Sequence, residues 1–172
     1  MSTFKQFNSE CSNCTANKIV KTLHFGSGKF PLNEDEDVPF HNYRPGVHVL
    51  DHNVSTFKQV NCKGMGQCIA QLVILPGTSI VVPSSTTAQI RTNGGVVANI
   101  QCINRNGVSV PRSEFDRCNS FFQPEILYRV GYPVESDLDV GDHEDGKGIH
   151  SFRTREQAQQ WASPYIKLFS NI

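Results

Sequence analysis

From Gln67 to Val134, apolar and polar residues alternate over short stretches, and Gly, Pro and Asn break the runs at close intervals. That rhythm is the pattern of short strands joined by tight turns. "QCIAQLVILP" is a short apolar run closed by Pro76-Gly77, as in a buried strand. "TSIVVPSS" is a second, and Pro83, lacking an N–H, places it at a sheet edge or at a strand end. "TTAQIRTNGGVVANIQCI" reads as a hairpin, with Ala88 and Ile90 on one side and Asn93-Gly94-Gly95 as its turn. Its return strand alternates Val97, Asn99 and Gln101 with Val96, Ala98, Ile100 and Cys102. "NRNGVSVP" supplies a further turn at Asn106-Gly107, and "EILYRVGYPV" one more strand, with Leu127 or Tyr128 facing inward. Asp137 to Asp145 is an acidic, solvated loop.

The pattern changes near the end. Ile149, Ser151 and Arg153 alternate with His150 and Phe152, and a helix start follows at once. Thr154 is a good N-cap, Gln157 stands where a capping box needs it, and Glu156 suits the positive end of the helix dipole. Pro164 limits this helix to about two turns, and "YIKLFSNI" can add another. Phe152 and Trp161 are the expected anchors of the corner. The fold class is therefore α+β, a mostly antiparallel β domain with one short C-terminal helix. Residues 1–45, with an acidic run at Glu34–Asp37 and few apolar positions, read as an extended or irregular N-terminal arm. Residues 46–172 form the compact domain. "STFKQFN" at Ser2–Asn8 is echoed by "STFKQVN" at Ser55–Asn61, and a cysteine follows each copy. Two copies do not make a solenoid.

Composition narrows the function. The 172 residues carry 16 basic and 16 acidic side chains, so the formal net charge is zero. Phosphate backbones select basic surfaces, which argues against nucleic acid as a partner. No apolar run approaches the roughly 20 residues of a membrane span, and the polar start "MSTFKQFNSECSN" lacks the apolar segment of a secretory signal. A soluble protein made in the cytoplasm is the expectation.

Candidate chemistry is sparse. Cys11 and Cys14 form a CxxC, and Cys62 and Cys68 offer a second pair, so a zinc-dependent adaptor is one reading. The five residues between Cys62 and Cys68 do not match a zinc knuckle. Disulfides, or cross-links to neighbouring chains through these four cysteines, are the other reading. "HVLDH", at His48 to His52, carries two histidines four apart, but Pro45-Gly46 and the β-branched surroundings oppose a helix. "DLDVGDHED" lacks the spacing of a calcium loop. There is no nucleophile elbow, no P-loop and no H-E-x-x-H, and no motif asks for a cofactor. His150 with Asp142, Glu144 or Asp145 is a candidate acid–base pair. That reading, a small enzyme or ligand-binding domain, expects a pocket joining His150 to Arg155 or to the acidic loop. Its alternation with Phe152 favours a structural, hydrogen-bonded histidine.

"YRVGYPVESDLDVGDHEDGKGIHSFRTREQAQQW", with "AQLVILPGTSIVVPSSTTAQIRTNGGVVANI" upstream, resembles a domain of unknown function found in large DNA viruses and some bacteria, often beside pentapeptide repeats. The matching residues are Tyr128, Val130, Gly131, Gly148, Ile149, His150, Phe152, Thr154, Arg155, Glu156 and Ala158. Ser151 replaces the usual aromatic, and the cysteine often found before Gly-Ile-His is missing. The resemblance covers about residues 67–162 and implies no established activity. A viral setting, the arm, the cysteines and the absence of catalytic motifs together resemble the minor capsid proteins of large icosahedral DNA viruses. The first expectation is thus a structural, non-enzymatic protein of the virion shell. Its partners would be the major capsid protein and other minor capsid proteins, and it can self-pair as a homodimer through its arm or cysteines.

Overall fold

The computed structural model describes residues 43–161, apart from 66, 86–88, 105, 114–115 and 142–145. The arm (residues 1–42), the second half of the acidic loop and the segment after Trp161 lie outside the described residues.

Eleven strands are described: β1 (Gly46–Val49), β2 (Val54–Cys62), β3 (Cys68–Ile74), β4 (Ser79–Val82), β5 (Ile90–Thr92), β6 (Gly94–Ile103), β7 (Ser109–Pro111), β8 (Cys118–Asn119), β9 (Leu127–Tyr128), β10 (Pro133–Glu135) and β11 (Ile149–Ser151). One helix, α1 (Arg155–Gln160), follows. The smaller sheet runs β1-β4-β5-β11 and the larger β10-β6-β3-β2-β8-β9, with β7 also paired to β6. Each ladder is antiparallel. The α+β class with a mostly antiparallel sheet and one short helix is thus observed.

Two of the expected strands hold as read. β3 ends before Pro76-Gly77 and β4 ends at Pro83. The turn at Asn106-Gly107 joins β6 to β7, with Gly107 at φ +78° and the Asn104 side chain accepting from the Asn106 and Val108 amides. "EILYRVGYPV" is two strands rather than one, because Gly131 at φ +90° turns the chain between β9 and β10. Tyr128 is the inward residue, and Leu127 is exposed.

The hairpin at Asn93-Gly94-Gly95 is not formed. β5 belongs to the smaller sheet and β6 to the larger, so the chain crosses between sheets at Asn93. Asn93 is buried, and its side-chain oxygen accepts from the Ser79 amide at 3.2 Å while its carbonyl accepts from Ser136 at 3.2 Å. Gly95 serves proximity rather than a turn: a Cβ on it would stand 2.9 Å from Ile74 Cδ1. Two sequence signals of a hairpin therefore mark a close crossing of layers.

The main core lies between the sheets. It gathers Val54, Val60 and Cys62 of β2, Ala70, Leu72 and Ile74 of β3, Ile80 and Val82 of β4, Ile100 and Cys102 of β6, and Tyr128 and Ile149. Alternation sends the odd positions of β2 to the other face, where Phe57 meets Ile69, Phe152, Ala158 and Trp161. The helix covers this outer face. Thr154 Oγ1 accepts from the Gln157 amide at 3.1 Å, the expected N-cap. Gln59, on the same face, donates to the carbonyls of Ala158 and Trp161, both at 2.7 Å, satisfying the helix end.

Candidate functional site

Among the described residues the outer edge of β2 has two partners with a gap between them. At one point Phe57 exchanges both main-chain hydrogen bonds with Phe152, at 2.9 and 2.6 Å. Further along, Asn61 and Cys62 pair with β8. Antiparallel alternation turns the Gln59 N–H and C=O the same way as those of Phe57, toward the unpaired stretch between these partners.

A cavity of about 510 Å³ opens beside this gap. That is within the usual range for a small-molecule site. Lys58 and Gln59 line it from β2, His150 from β11, Gly146 and Lys147 from just after the acidic loop, Ser120 to Gln123 from the segment after β8, and Trp161 from the end of the helix. Phe121, Phe122 and Trp161 form an aromatic wall, with the tryptophan ring 6.4 and 6.0 Å from the two phenylalanines. No Asp or Glu lines the cavity among the described residues.

Lys58 is the unusual group. Its even position in β2 points it toward the main core, on the face of Val54 and Val60, and it is only 8% exposed. Nζ donates to the His150 carbonyl at 2.9 Å and stands 6.0 Å from the centre of the Tyr128 ring. Among the described residues no carboxylate pairs with it. Burial disfavours its charged form and pulls its pKa from 10.5 down to about 8. It is still mainly an ammonium at neutral pH. Two of its three protons are left for another acceptor. Two buried acceptors or donors nearby also lack partners among the described residues: Gln59 Oε1 and the Tyr128 hydroxyl.

His150 is half-buried, and its Nε2 donates to the Gly146 carbonyl at 2.7 Å. A carbonyl only accepts, so the proton sits on Nε2. Behind it, buried Arg91 of β5 fixes the acidic loop, donating to the carbonyls of Asp139, Gly141 and Lys147. The loop neck is closed by main-chain and side-chain bonds between Asp139 and Lys147. Gly148, at φ +143°, packs where a Cβ would meet Arg91 and Leu138 at 3.0 Å. The pocket therefore joins His150 to Gly146 and Lys147, the two residues that follow the acidic loop. Arg155 lies elsewhere, with its guanidinium 4.8 Å over the Phe57 ring.

The other marked residues are mostly architectural. Ile149 and Ser151 face the core, Ser151 Oγ donating to Thr56 Oγ1 at 2.9 Å. Phe152 fills the outer cluster, Thr154 caps the helix and Glu156 occupies its first turn. Cys62 is bonded to Cys118 and Cys68 to Cys102, each pair directly opposite across neighbouring strands. Cys11 and Cys14 lie outside the described residues. Lys58, Gln59, Phe121 and Phe122 were not singled out from the sequence. Lys58 had a signal: it interrupts an apolar series at Val54, Val60 and Cys62 on one face of a strand.

A family model matches residues 41–158, well over half of the chain. The chain belongs to DUF5758, a family of unknown function. The match starts upstream of the resembling stretch and so takes in β1 and β2, Lys58 and Cys62 included. No curated protein and no solved structure matches the chain.

Proposed function

We propose that this domain binds a small organic anion, with a flat apolar body, in the cavity at His150. The observation that carries this is Lys58: a buried ammonium beside a cavity, with no carboxylate partner among the described residues. A buried unpaired charge costs stability, and such groups cluster where a ligand supplies the missing partner. A carboxylate or phosphate oxygen would take the remaining Lys58 protons, and the aromatic wall would hold the body of the ligand. The Lys58 bond to the His150 carbonyl also ties β2 to β11, but a tie alone needs neither the cavity nor the aromatic wall.

The single tryptophan of the chain stands in the wall and reports occupancy. Titration with indole-3-acetate, benzoate and adenosine monophosphate should give a saturable change in its fluorescence for at least one of them. The neutral amide of a binding carboxylate should bind at least about tenfold more weakly, the size of one charge-assisted hydrogen bond. Lys58→Met, checked for an unchanged fold by circular dichroism, should lose binding by a similar factor. No saturable response to any probe, or an undiminished response in Lys58→Met, overturns the reading.

An assembly role is the second reading. It is supported by β1, an edge strand of the smaller sheet whose Val47 and Val49 are 49% and 62% exposed. As a minor capsid component of a large DNA virus, the chain would link major capsid protein capsomers in the virion shell, with β1 pairing to another chain or to a second copy. Protein analysis of purified particles tests it, and absence from the particle rejects it.

A further inference from the structure

Four cysteines from four consecutive strands of the larger sheet lie on its inner face: Cys118 of β8, Cys62 of β2, Cys68 of β3 and Cys102 of β6. All four are at most 2% exposed. The sulfurs of Cys62, Cys68 and Cys102 lie within 4.8 Å of one another, although they belong to two different disulfides. The fourth, of Cys118, is bonded to that of Cys62. The two disulfides lie side by side because β2 and β3 are neighbours in the sheet. Both of these also link strands that are already hydrogen-bonded neighbours. Three sulfurs this close, with a fourth bonded to one of them, make a donor set for a soft tetrahedral cation once the disulfides are opened.

We propose that Cys62, Cys68, Cys102 and Cys118 form a redox-gated tetrathiolate site for Zn²⁺. In the oxidised chain the four sulfurs are two disulfides and bind no metal. A dithiol reductant delivers two electrons and two protons to each disulfide, and one molecule of the reductant becomes a disulfide for each bond opened. The four thiols then lose four protons as Zn²⁺ binds the four thiolates. Four protein ligands close the coordination shell, so the site is structural rather than catalytic. It holds the β2–β3 turn to β6 and β8 in the reduced state as the disulfides do in the oxidised one. It is independent of the anion cavity, and it does not use the Cys11–Cys14 pair.

The test uses the full chain, reduced with dithiothreitol, then desalted without oxygen and titrated with Co²⁺. One Co²⁺ per chain should bind with thiolate-to-metal charge-transfer absorption and the intense visible bands of a tetrahedral site, and Zn²⁺ should displace it. Bound Zn²⁺ should protect Cys62, Cys68, Cys102 and Cys118 from N-ethylmaleimide in peptide mapping, and diamide should release it. Cys118→Ser should weaken Zn²⁺ binding by at least about a hundredfold, the most that a mere outer-shell change costs. Cys11→Ser/Cys14→Ser should leave it unchanged. If the reduced chain unfolds, Zn²⁺ should restore its β-sheet circular dichroism. The proposal is overturned if the reduced chain neither binds Co²⁺ with that spectrum nor refolds with Zn²⁺, or if the Cys11→Ser/Cys14→Ser variant loses the metal.

Discussion

Lys58 and Cys62 stand four residues apart on one face of β2, and their surroundings are opposite. At Cys62 the outer edge of the strand is paired by β8, the side chain is bonded to Cys118, and it packs in the main apolar cluster. Lys58 stands beside the stretch of that edge with no strand partner among the described residues; a cavity opens there, and the buried ammonium has one main-chain acceptor. The difference shows what strand pairing does for a core. Where the edge is paired, main-chain groups are satisfied and the face can be sealed with apolar side chains. Where the pairing lapses, polar groups gather, a cavity opens, and a buried charge lowers stability.

The largest effect is expected at the sealed end. In the oxidised chain, Cys68→Ala/Cys102→Ala removes a bond that closes a loop of sequence separation 34 and should lower stability by about 4 kcal/mol. The urea midpoint measures it, and a loss under about 1 kcal/mol would mean the sheet holds this end without the bond.

The open end should respond with the opposite sign. Lys58→Met removes a buried charge and should stabilise the chain by about 2 kcal/mol at neutral pH, after the lost bond to His150 is counted. The folded pKa of about 8 lies below the ordinary 10.5, so the unfolded chain holds more protons between those values. The penalty is therefore complete below about pH 8 and fades as pH rises toward 10.5. The advantage of Lys58→Met should shrink accordingly, which paired unfolding curves at about pH 7 and about pH 9.5 will show. An advantage independent of pH would mean that packing, not charge, sets the difference.

A smaller loss, about 1–2 kcal/mol, is expected for Gly95→Ala, whose new Cβ would press on Ile74 in the sealed core. Removing the obstructing methyl with Ile74→Val should recover part of it, so the two changes should couple in a double-mutant cycle. Thr154→Ala should cost about 1 kcal/mol through the lost cap. Because α1 leads into Trp161 in the cavity wall, the same change should loosen probe binding while leaving the sealed end untouched.

Much of the fold could be read from local pattern. β3, β4, the Asn106-Gly107 turn and the Thr154 cap each depend on a few neighbouring residues, and the structure has them where the sequence indicates. The Asn93-Gly94-Gly95 turn misled because a hairpin and a sheet crossing share the same small residues; only the packing against Ile74 tells them apart. In the candidate site His150 was legible as part of a strand-to-helix corner. Trp161 was legible with it, but Lys58 and Phe121 were not, since they come from distant segments.

The sequence by itself determined the strand periodicities, the Asn106-Gly107 turn, the helix cap and the family, because those rest on short-range sterics and on residues close along the chain. The tertiary structure alone decided which strands share a sheet, which cysteines pair and where the edge of β2 is left open. Those depend on contacts between residues far apart in the chain, such as Cys62 with Cys118 and Lys58 with His150, which no local pattern encodes.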